Sequence, residues 1–236
     1  MKSVSNVPRD YRHVPPAALF ALRAVRTALH FSFTGRTYAA KHLERQFKAK
    51  SDPWDLACSE AGTERFSKTW RLVPERSYGR ILEIGCAEGH FTEQIVDRFP
   101  DAEVVAVDFV PLAVERARAR CGIREHLSVE CLDIARKSPP GMFDLIFCMS
   151  VLEYGPTFLQ LNRIREHILR ALAPGGYLLL QSVTVAPTFD HQWWARKLGY
   201  GARALHDRFL MDDVVRVTDA MVCGDWCMAT LLTKNL

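Results

Sequence analysis

Short apolar runs alternate with longer amphipathic stretches through most of this chain. The apolar runs have the length of buried strands and lie near residues 80–84, 103–107, 127–131, 143–149 and 177–184. Stretches of helical length lie between some of them, near 89–98, 111–121 and 158–172. Because strands separated by helices pair in parallel, the pattern predicts an α/β sheet with ligands at the carboxyl ends of its strands. Two later apolar runs predict an antiparallel edge, near 214–218 and 226–233.

The loop after the first apolar run has the layout of a nucleotide site. Residues 79–89 read Gly-Arg-Ile-Leu-Glu-Ile-Gly-Cys-Ala-Glu-Gly, and the second run ends in Asp108. Gly85 and Gly89 can adopt backbone angles that other residues resist, and without a Cβ they let a ligand lie against the main chain. A carboxylate at a strand end can accept two hydrogen bonds from a ribose diol. A dinucleotide fingerprint would need a second glycine where this loop has Ala87, so NAD and FAD are disfavoured.

Three features further along the chain complete a family pattern. Glu130-Cys-Leu-Asp133 closes the third apolar run, Phe143-Asp144 opens the fourth, and Ala173-Pro-Gly-Gly176 precedes the fifth. With the glycine loop and Asp108, this combination resembles the class I S-adenosylmethionine-dependent methyltransferases over residues 78–185. The resemblance implies an enzyme with a Rossmann-like α/β fold, a mostly parallel seven-stranded sheet with helices on both faces, and S-adenosylmethionine as cofactor.

The flanking segments resemble one group within that family more closely. Asp52-Pro-Trp54, the helix-like run from Glu60 to Val73, and the EIGCAEG loop are similar to the nodulation protein S (NodS) type. The carboxyl end, with Val214–Val217 and Met228–Lys234, is similar to the closing strand pair of that group. This resemblance implies N-methylation of an amino sugar in a lipo-oligosaccharide. Where the group carries Tyr-Tyr after the fourth strand, this chain has Glu153-Tyr154, which leaves the acceptor open.

The resemblance assigns roles to the acids at the strand ends. Glu83 would bind the cofactor ammonium, Asp108 the ribose hydroxyls and Asp133 the adenine amino group. The N–H groups of residues 86–89 would meet the cofactor carboxylate at a helix N-terminus. Asp144, at the opposite end of its strand, is interpreted as structural. The complete set of predicted cofactor-binding residues is Glu83, Gly85, Cys86, Ala87, Gly89, Asp108, Phe109, Leu132, Asp133, Ile134, Met149 and Ser150.

Residues after the fourth strand would lie beside the transferable methyl group. Glu153 and Tyr154 are the candidate catalytic residues, because a carboxylate can hold an ammonium and help to pass its proton to water. A solvated acid at a helix start is the structural alternative for Glu153. The candidate acceptor-binding side chains are aromatic or imidazole groups that could also pack in the core, namely Trp54, His191, Trp193, Trp194 and His206.

Residues before the first strand carry helical patterns, over 16–33, 36–50 and 59–73. We expect residues 1–73 to form a helical extension that covers the cofactor site, and residues 74–236 to form the S-adenosylmethionine-binding methyltransferase domain. Charged residues interrupt the first apolar stretch, which excludes a membrane-spanning helix there. Its apolar stripe fits either packing on the domain or peripheral contact with a membrane surface.

Composition restricts the remaining choices. The 236 residues are 48% hydrophobic and 25% charged, which is typical of one globular α/β protein with a decorated N-terminus. A net charge of +4, with Lys and Arg spread over many helices, does not indicate a nucleic-acid partner. The seven cysteines form no C-x-x-C pair. We therefore expect no metal site, and a cytoplasmic enzyme with reduced thiols that acts on a small-molecule substrate.

Three other functions stay open at this point. A small-molecule O-methyltransferase would use a histidine base or a metal, whereas this chain has Tyr154 where such enzymes often place a histidine. A cofactor-binding but catalytically inactive methyltransferase-like module is disfavoured by the intact acids Glu83, Asp108 and Asp133. A nucleotide-sugar dehydrogenase is disfavoured by Ala87. The sequence names neither the acceptor nor the oligomeric state.

Overall fold

Seven strands form one sheet in the computed structural model, which describes residues 38–57, 59–152, 158–183, 206–211, 213–223 and 227–236. The strands are β1 (Arg80–Ile84), β2 (Glu103–Asp108), β3 (Leu127–Cys131), β4 (Phe143–Met149), β5 (Leu172–Val183), β6 (Val215–Cys223) and β7 (Cys227–Lys234). Their order across the sheet is β3-β2-β1-β4-β5-β7-β6. The first five strands pair in parallel, and β7 is antiparallel to both β5 and β6. The predicted Rossmann-like sheet with an antiparallel edge is thus confirmed.

Helices cover both faces of this sheet. They are α1 (Tyr38–Ala49), α2 (Glu60–Leu72), α3 (His90–Arg98), α4 (Pro111–Cys121) and α5 (Phe158–Ala171), with a short 3₁₀ turn at Arg208–Leu210. Helix α2 begins after Ser59, whose hydroxyl accepts a hydrogen bond from Gly62 N at 3.0 Å. No helix within the described ranges is both long enough and apolar enough to cross a membrane. The helix predicted over 16–33 lies outside the described residues.

The largest difference from the predicted strands is at the start of β5, which lies at Leu172 rather than near 177. Leu172 pairs with Phe143 of β4, and the register shifts directly after this pair. Residues 173–176 therefore form a bulge inside the strand instead of a turn before it. A Cβ at Gly176 would lie 2.8 Å from the Ala173 carbonyl oxygen, so this bulge needs glycine. Strand β6 likewise extends past its predicted end.

Successive residues of the central strands face opposite apolar layers, which is why these strands read as continuous hydrophobic runs. In β4, Leu145 and Phe147 pack in the layer that contains α2 and α3, whereas Ile146 and Cys148 pack in the layer that contains α5. All four side chains are fully buried. The sheet is therefore covered on both sides, and its carboxyl-end rim is left for ligands.

Aromatic rings fix α2 and α3 on the sheet. Trp70 of α2 stacks on Phe91 of α3 with ring centroids 4.8 Å apart, and Phe91 meets Phe147 of β4 edge-on at 5.1 Å. The Trp70 indole N–H donates to Gln94 Oε1 at 2.9 Å. Such ring pairs contribute about 0.5–1.5 kcal/mol each beyond the burial of their area. The position of α2 over β4 is therefore well defined.

The segment before α2 packs at the start of α4. Leu43 and Phe47 of α1 contact Val110 and Ala113. Trp54 meets the Phe47 ring edge-on, with centroids 5.2 Å apart. Residues 38–57 therefore lie beside the carboxyl end of β2.

Asp144 anchors the start of β1, at the end of the sheet opposite the ligand rim, as its structural interpretation predicted. Its Oδ2 accepts hydrogen bonds from the N–H groups of Gly79 and Arg80 at 2.8 and 2.9 Å. Asp144→Ala is expected to lower the free energy of unfolding by about 2 kcal/mol, because two charge-assisted hydrogen bonds are lost. Chemical denaturation measures this loss. Asp101→Ala, in an exposed turn, should stay within about 0.5 kcal/mol of the wild type. An unchanged stability for Asp144→Ala would contradict the anchoring role.

Candidate functional site

The loop between β1 and α3 follows a path set by β2 and by its own backbone angles. The N–H groups of Gly85 and Cys86 both donate to the Val107 carbonyl, at 2.8 and 3.1 Å. Gly85, Ala87 and Gly89 have positive φ, at 79°, 48° and 83°. Glycine adopts this left-handed region freely, whereas Ala87 adopts it under strain. The loop is thus a constrained turn rather than a loose connection.

The space beside each loop glycine is filled by the chain itself. A Cβ on Gly85 would collide with Cγ2 of Val151, and a Cβ on Gly89 would lie 3.1 Å from Cα of Ala117 in α4. We predicted that the missing side chains leave room for a ligand. In the direction that a Cβ would take, the structure places neighbouring residues of the protein, so both glycines are required for packing, and the approach of a ligand to the main chain stays a prediction.

Asp108 ends β2 with a buried carboxylate. Its Oδ2 accepts from Ala87 N at 3.0 Å, and its Oδ1 accepts from Val110 N at 2.9 Å. Burial raises the pKa of Asp108 to about 6, although the hydrogen bonds from Val110 and Ala87 oppose the shift. Each carboxylate oxygen has a second lone pair. Asp108 therefore has the acceptor capacity that a ribose diol requires.

Glu83 is buried in β1, close enough to Asp108 for the two charges to interact. Thr92 Oγ1 of α3 donates to Glu83 Oε2 at 2.6 Å. Burial raises the pKa of Glu83 to about 7 with a smaller contribution from Asp108, and the Thr92 hydrogen bond and the Arg65 charge oppose the shift. A cationic ligand group beside these acids would offset the cost of ionising them.

The segment after β3 lies next to Asp108. Leu132 N donates to the Asp108 carbonyl at 2.9 Å. Asp133 is half-buried, burial raises its pKa, and its Oδ1 accepts from Ala135 N at 2.9 Å. The Ile134 side chain is only 6% exposed and packs in the layer that contains α5. Of the two residues predicted to flank the adenine ring, Leu132 is therefore more accessible than Ile134.

Strand β4 ends where β5 and α2 meet. Ser150 N donates to the Gln181 carbonyl of β5 at 2.7 Å, and Ser150 has a φ of 53°. Met149 is buried, with its Sδ 3.8 Å from Thr69 Oγ1 of α2. Both predicted residues thus lie at the carboxyl-end rim of the sheet.

Trp54 and Phe109 belong to one apolar cluster with Ala87, Phe47 and Val110. Trp54, predicted to bind the acceptor, therefore lies beside the glycine loop and the end of β2. The remaining predicted catalytic and acceptor-binding residues lie outside the described residues, namely Glu153, Tyr154, His191, Trp193 and Trp194.

His206 and three cysteines are buried in the structure. His206 is buried with its Nδ1 2.9 Å from Thr230 Oγ1, and burial lowers its pKa to about 4. Cys86, Cys121 and Cys148 are buried and form no disulfide within the part of the chain that the structure describes. In the part of the chain that the structure describes, no three His, Cys, Asp or Glu side chains are grouped closely enough to hold a metal ion.

Glu88 was not predicted, although it lies inside the glycine loop. Its buried carboxylate pairs with Arg116 Nη1 of α4 at 2.5 Å, and its Oε2 accepts from Asp52 N at 2.7 Å. The same Arg116 atom donates to the Phe47 carbonyl at 3.0 Å, and Arg120 Nε donates to the Glu88 carbonyl at 2.9 Å. Glu88 therefore ties the loop to α4 and to residues 38–57. The sequence shows an acid inside the glycine loop, but it does not reveal the role of Glu88, because the partners of this side chain are distant in sequence.

Three acids lie in or directly after three neighbouring strands, at the carboxyl-end rim of the sheet. Glu83 lies in β1, Asp108 ends β2, and Asp133 follows β3, and these strands are adjacent in the sheet. Strands are spaced about 4.8 Å apart, so the row spans roughly 10 Å. A row of acids of this length can bind one ligand that carries a cation, a diol and an amino group.

Comparisons with known proteins identify a family and an enzyme class. The family model described as nodulation protein S (NodS) matches residues 37–232. Nodulation protein S of Rhizobium tropici is 32% identical over 165 residues, which cover 70% of this chain and 67% of that protein. Trans-aconitate 2-methyltransferase of Deinococcus radiodurans is 36% identical over 121 residues, 51% of this chain and 43% of that protein. The chain thus spans about two thirds or less of these curated relatives.

A solved structure extends the similarity along more of the chain. The crystal structure of the N-methyltransferase NodS from Bradyrhizobium japonicum WM9, in complex with S-adenosyl-L-homocysteine, superposes with a TM-score of 0.70 at 25% identity. The match covers 83% of this chain and 98% of that one.

The ion pair between Glu88 and Arg116 generates a stability prediction. Arg116→Met leaves the Glu88 acid buried without its cation, which is expected to lower the free energy of unfolding by about 2–3 kcal/mol. The loss falls below the usual range for a fully buried pair because the Arg116 side chain is 32% exposed. Denaturation of the double variant, Glu88→Gln with Arg116→Met, should recover part of this loss. Strictly additive losses in the two single variants would show that the pair is not coupled.

Proposed function

We propose an amine acceptor for this chain, which belongs to the nodulation protein S (NodS) family and is an S-adenosylmethionine-dependent methyltransferase. The predicted family, enzyme class and cofactor are thereby confirmed. In our proposal the methyl group goes to the nitrogen of an amino sugar or a related amine. The similarity to an N-methyltransferase over most of the chain carries this proposal. Among the curated relatives, trans-aconitate 2-methyltransferase of Deinococcus radiodurans aligns over 51% of this chain, against 70% for nodulation protein S of Rhizobium tropici.

The described residues fit the cofactor. S-adenosylmethionine supplies a methyl group on a sulfonium, and it also carries an ammonium, a carboxylate, a ribose diol and an adenine amino group. In our assignment Glu83 binds the ammonium, Asp108 the diol and Asp133 the amino group, while the N–H groups of the glycine loop bind the carboxylate. The raised pKa values of Glu83 and Asp108 support this assignment. Hydrogen bonds from a cation and from hydroxyls would stabilise these buried acids in their charged form.

The acceptor amine needs a free lone pair, so a neighbouring group has to take or share its proton. We assign this role to Glu153 or Tyr154, which follow β4, and we assign acceptor contacts to Trp54, His191, Trp193 and Trp194. Trp54 is the described member of this set, and its position beside the glycine loop supports its assignment. A carboxylate at Glu153 would hold the amine and help to move its proton to water.

The N-terminal extension, residues 1–73, is proposed to cover the cofactor site. Its described part supports this proposal. Leu43 and Phe47 pack on Val110, just after Asp108, and Asp52 N bonds to Glu88 in the loop. A segment held at both points lies over the edge of the site where β2 ends.

Binding of S-adenosyl-L-homocysteine, which carries the same ammonium, is expected to depend on pH through Glu83. In the free protein this carboxyl is mostly protonated below its pKa of about 7. Affinity should therefore fall by up to about tenfold per pH unit as the pH is lowered below about 7. The pH dependence of the folding stability has the opposite sign, because the raised pKa of Glu83 stabilises the free folded protein at low pH. That contribution is lost as the pH rises from the ordinary value of 4.5 through about 7.

Titration calorimetry from about pH 5.5 to 8 measures this dependence, and a variant separates Glu83 from Asp108, whose pKa burial also raises. Glu83→Gln should bind more weakly and lose most of the pH dependence. Glu93→Gln, on the solvent side of α3 beside Arg120, should keep the wild-type dependence. A wild-type pH profile in Glu83→Gln would exclude Glu83 as the ammonium ligand.

A panel of acceptors tests the proposed reaction directly. We expect methyl transfer to the nitrogen of a glucosamine tetramer, at a rate that rises with pH as the acceptor amine loses its proton. The activity should survive EDTA, because an amine nucleophile needs no metal to lower its pKa. Product mass spectrometry locates the methyl group, and trans-aconitate and a phenol serve as oxygen acceptors. A methyl ester or ether as the main product, or a requirement for a divalent cation, would overturn the amine proposal.

A further inference from the structure

Gln181 lies at the carboxyl end of β5 with its side chain fully buried. It pairs with Met149 of β4 across the sheet, and its carbonyl accepts from Ser150 N at 2.7 Å. Its side-chain Nε2 donates to Thr69 Oγ1 of α2 at 2.8 Å. The side chain therefore faces the layer that contains α2, at the level of the ligand rim.

The hydrogen bonds of Thr69 fix which way the Gln181 amide points. Thr69 Oγ1 donates its single proton to the Arg65 carbonyl at 2.9 Å, one helical turn earlier. Met149 Sδ, 3.8 Å away, is a second acceptor for this proton, so the lone pairs of Thr69 face Gln181 and accept from its Nε2 at 2.8 Å. Gln181 Oε1 points away from Thr69 and, among the described residues, receives no hydrogen bond. A buried carbonyl without a donor destabilises the fold, and such groups are rare in proteins.

The topology places this oxygen on the acceptor side of the site. The acids assigned to the cofactor lie in or after β1, β2 and β3, on one side of β4. Gln181 lies in β5, on the other side of β4. The glycine loop approaches β4 closely, because a Cβ on Gly85 would lie 3.9 Å from the Met149 carbonyl. An acceptor that meets a cofactor bound at β1 to β3 therefore has β4 and β5 as its floor.

Helix α2 connects the two sides. The Arg65 charge acts on Glu83 in β1, while Thr69, four residues later, holds Gln181 in β5. The aromatic stack of Trp70 on Phe91 fixes this helix in place. The Gln181 amide is therefore held in one orientation before any ligand binds, which lowers the entropy cost of using it.

We propose that Gln181 Oε1 accepts a hydrogen bond from an N–H or O–H group of the methyl acceptor, with Thr69 as the residue that positions the amide. This inference rests on the proposed function and deepens it by naming the chemistry that the acceptor must present. A carbonyl oxygen attracts a donor and repels a carboxylate. The site therefore favours amine- and hydroxyl-bearing acceptors such as amino sugars over polycarboxylate acceptors such as trans-aconitate.

The test compares Gln181→Met with the wild type on a glucosamine tetramer. Methionine is close to glutamine in length and volume but cannot accept this hydrogen bond strongly. We expect KM for the tetramer to rise on the order of tenfold, with a smaller change in kcat. Affinity for S-adenosyl-L-homocysteine should stay at the wild-type value. The thermal midpoint should change little, because the lost hydrogen bond to Thr69 is offset by the removal of a buried carbonyl that had no donor.

Two further variants locate the effect. Thr69→Val frees the amide to rotate, so it should raise KM less than Gln181→Met, and the double variant should be no worse than Gln181→Met alone. Ser182→Ala is the matched control, because Ser182 is equally buried on the same strand and its hydroxyl also lacks a described partner. Its side chain faces the opposite layer, so its KM should match the wild type.

The outcomes separate this inference from the proposed function. If the wild type methylates the tetramer and Gln181→Met has an unchanged KM, the role of Gln181 is wrong and the proposed function stands. A lower thermal midpoint with unchanged KM would show that Gln181 is only structural. An equal rise of KM in Ser182→Ala would overturn the assignment to one face of the sheet. If the wild type does not methylate the tetramer, the proposed acceptor class and this inference both fail.

Discussion

A buried carboxylate at the end of β2 organises the ligand-binding end of this sheet. Asp108 accepts hydrogen bonds from the glycine loop at Ala87 and from the start of α4 at Val110. One side chain thus fixes two elements that follow different strands. The same burial raises its pKa, so the free protein bears part of the cost of a charge held away from water. Stability and binding are opposed at this position, as is common where a site is shaped before its ligand arrives.

Glu88 extends this constraint to the N-terminal segment. The glycine loop donates a hydrogen bond to Asp108 through Ala87 N. Its Glu88 side chain is also bound by Arg116 and by the Asp52 backbone. Residues 38–57 cannot leave this surface without exposing Phe47 and removing the Asp52 N–H donor from the buried Glu88 carboxylate. Because leaving a buried carboxylate oxygen without its donor is costly, the hydrogen bond from Asp52 N to Glu88 couples the segment to the loop. The glycine loop is therefore held in place both by the sheet and by the chain that precedes it.

In the arrangement that we propose, the strand order divides the cofactor and the methyl acceptor between the two halves of the rim. Acids occupy the β1 to β3 half, where a cofactor with an ammonium, a diol and an amino group finds acceptors. The β4 to β5 half carries Gln181, held by Thr69 in the layer that contains α2. The side chains of Glu83, Asp108, Asp133 and Gln181 present hydrogen-bond acceptors, whereas the glycine loop presents N–H donors. In our proposal, the hydrogen-bond-accepting oxygen of Gln181 suits a methyl acceptor that is rich in N–H and O–H groups. It disfavours a methyl acceptor that carries several carboxylates.

The sequence by itself determined the parallel strands, the glycine loop, the acids at 83, 108 and 133, and the family. These features are local, since burial on both faces produces continuous apolar runs and a strand end is marked by its next few residues. Only the tertiary structure decided that residues 173–176 bulge within β5, that Glu88 is held by Arg116, and that the Gln181 oxygen lacks a donor. Arg116 lies 28 residues from Glu88, and Thr69 lies 112 residues from Gln181. Such partners meet only because α4 and α2 pack at particular places on the sheet, and a local pattern of apolar and polar residues does not encode those places.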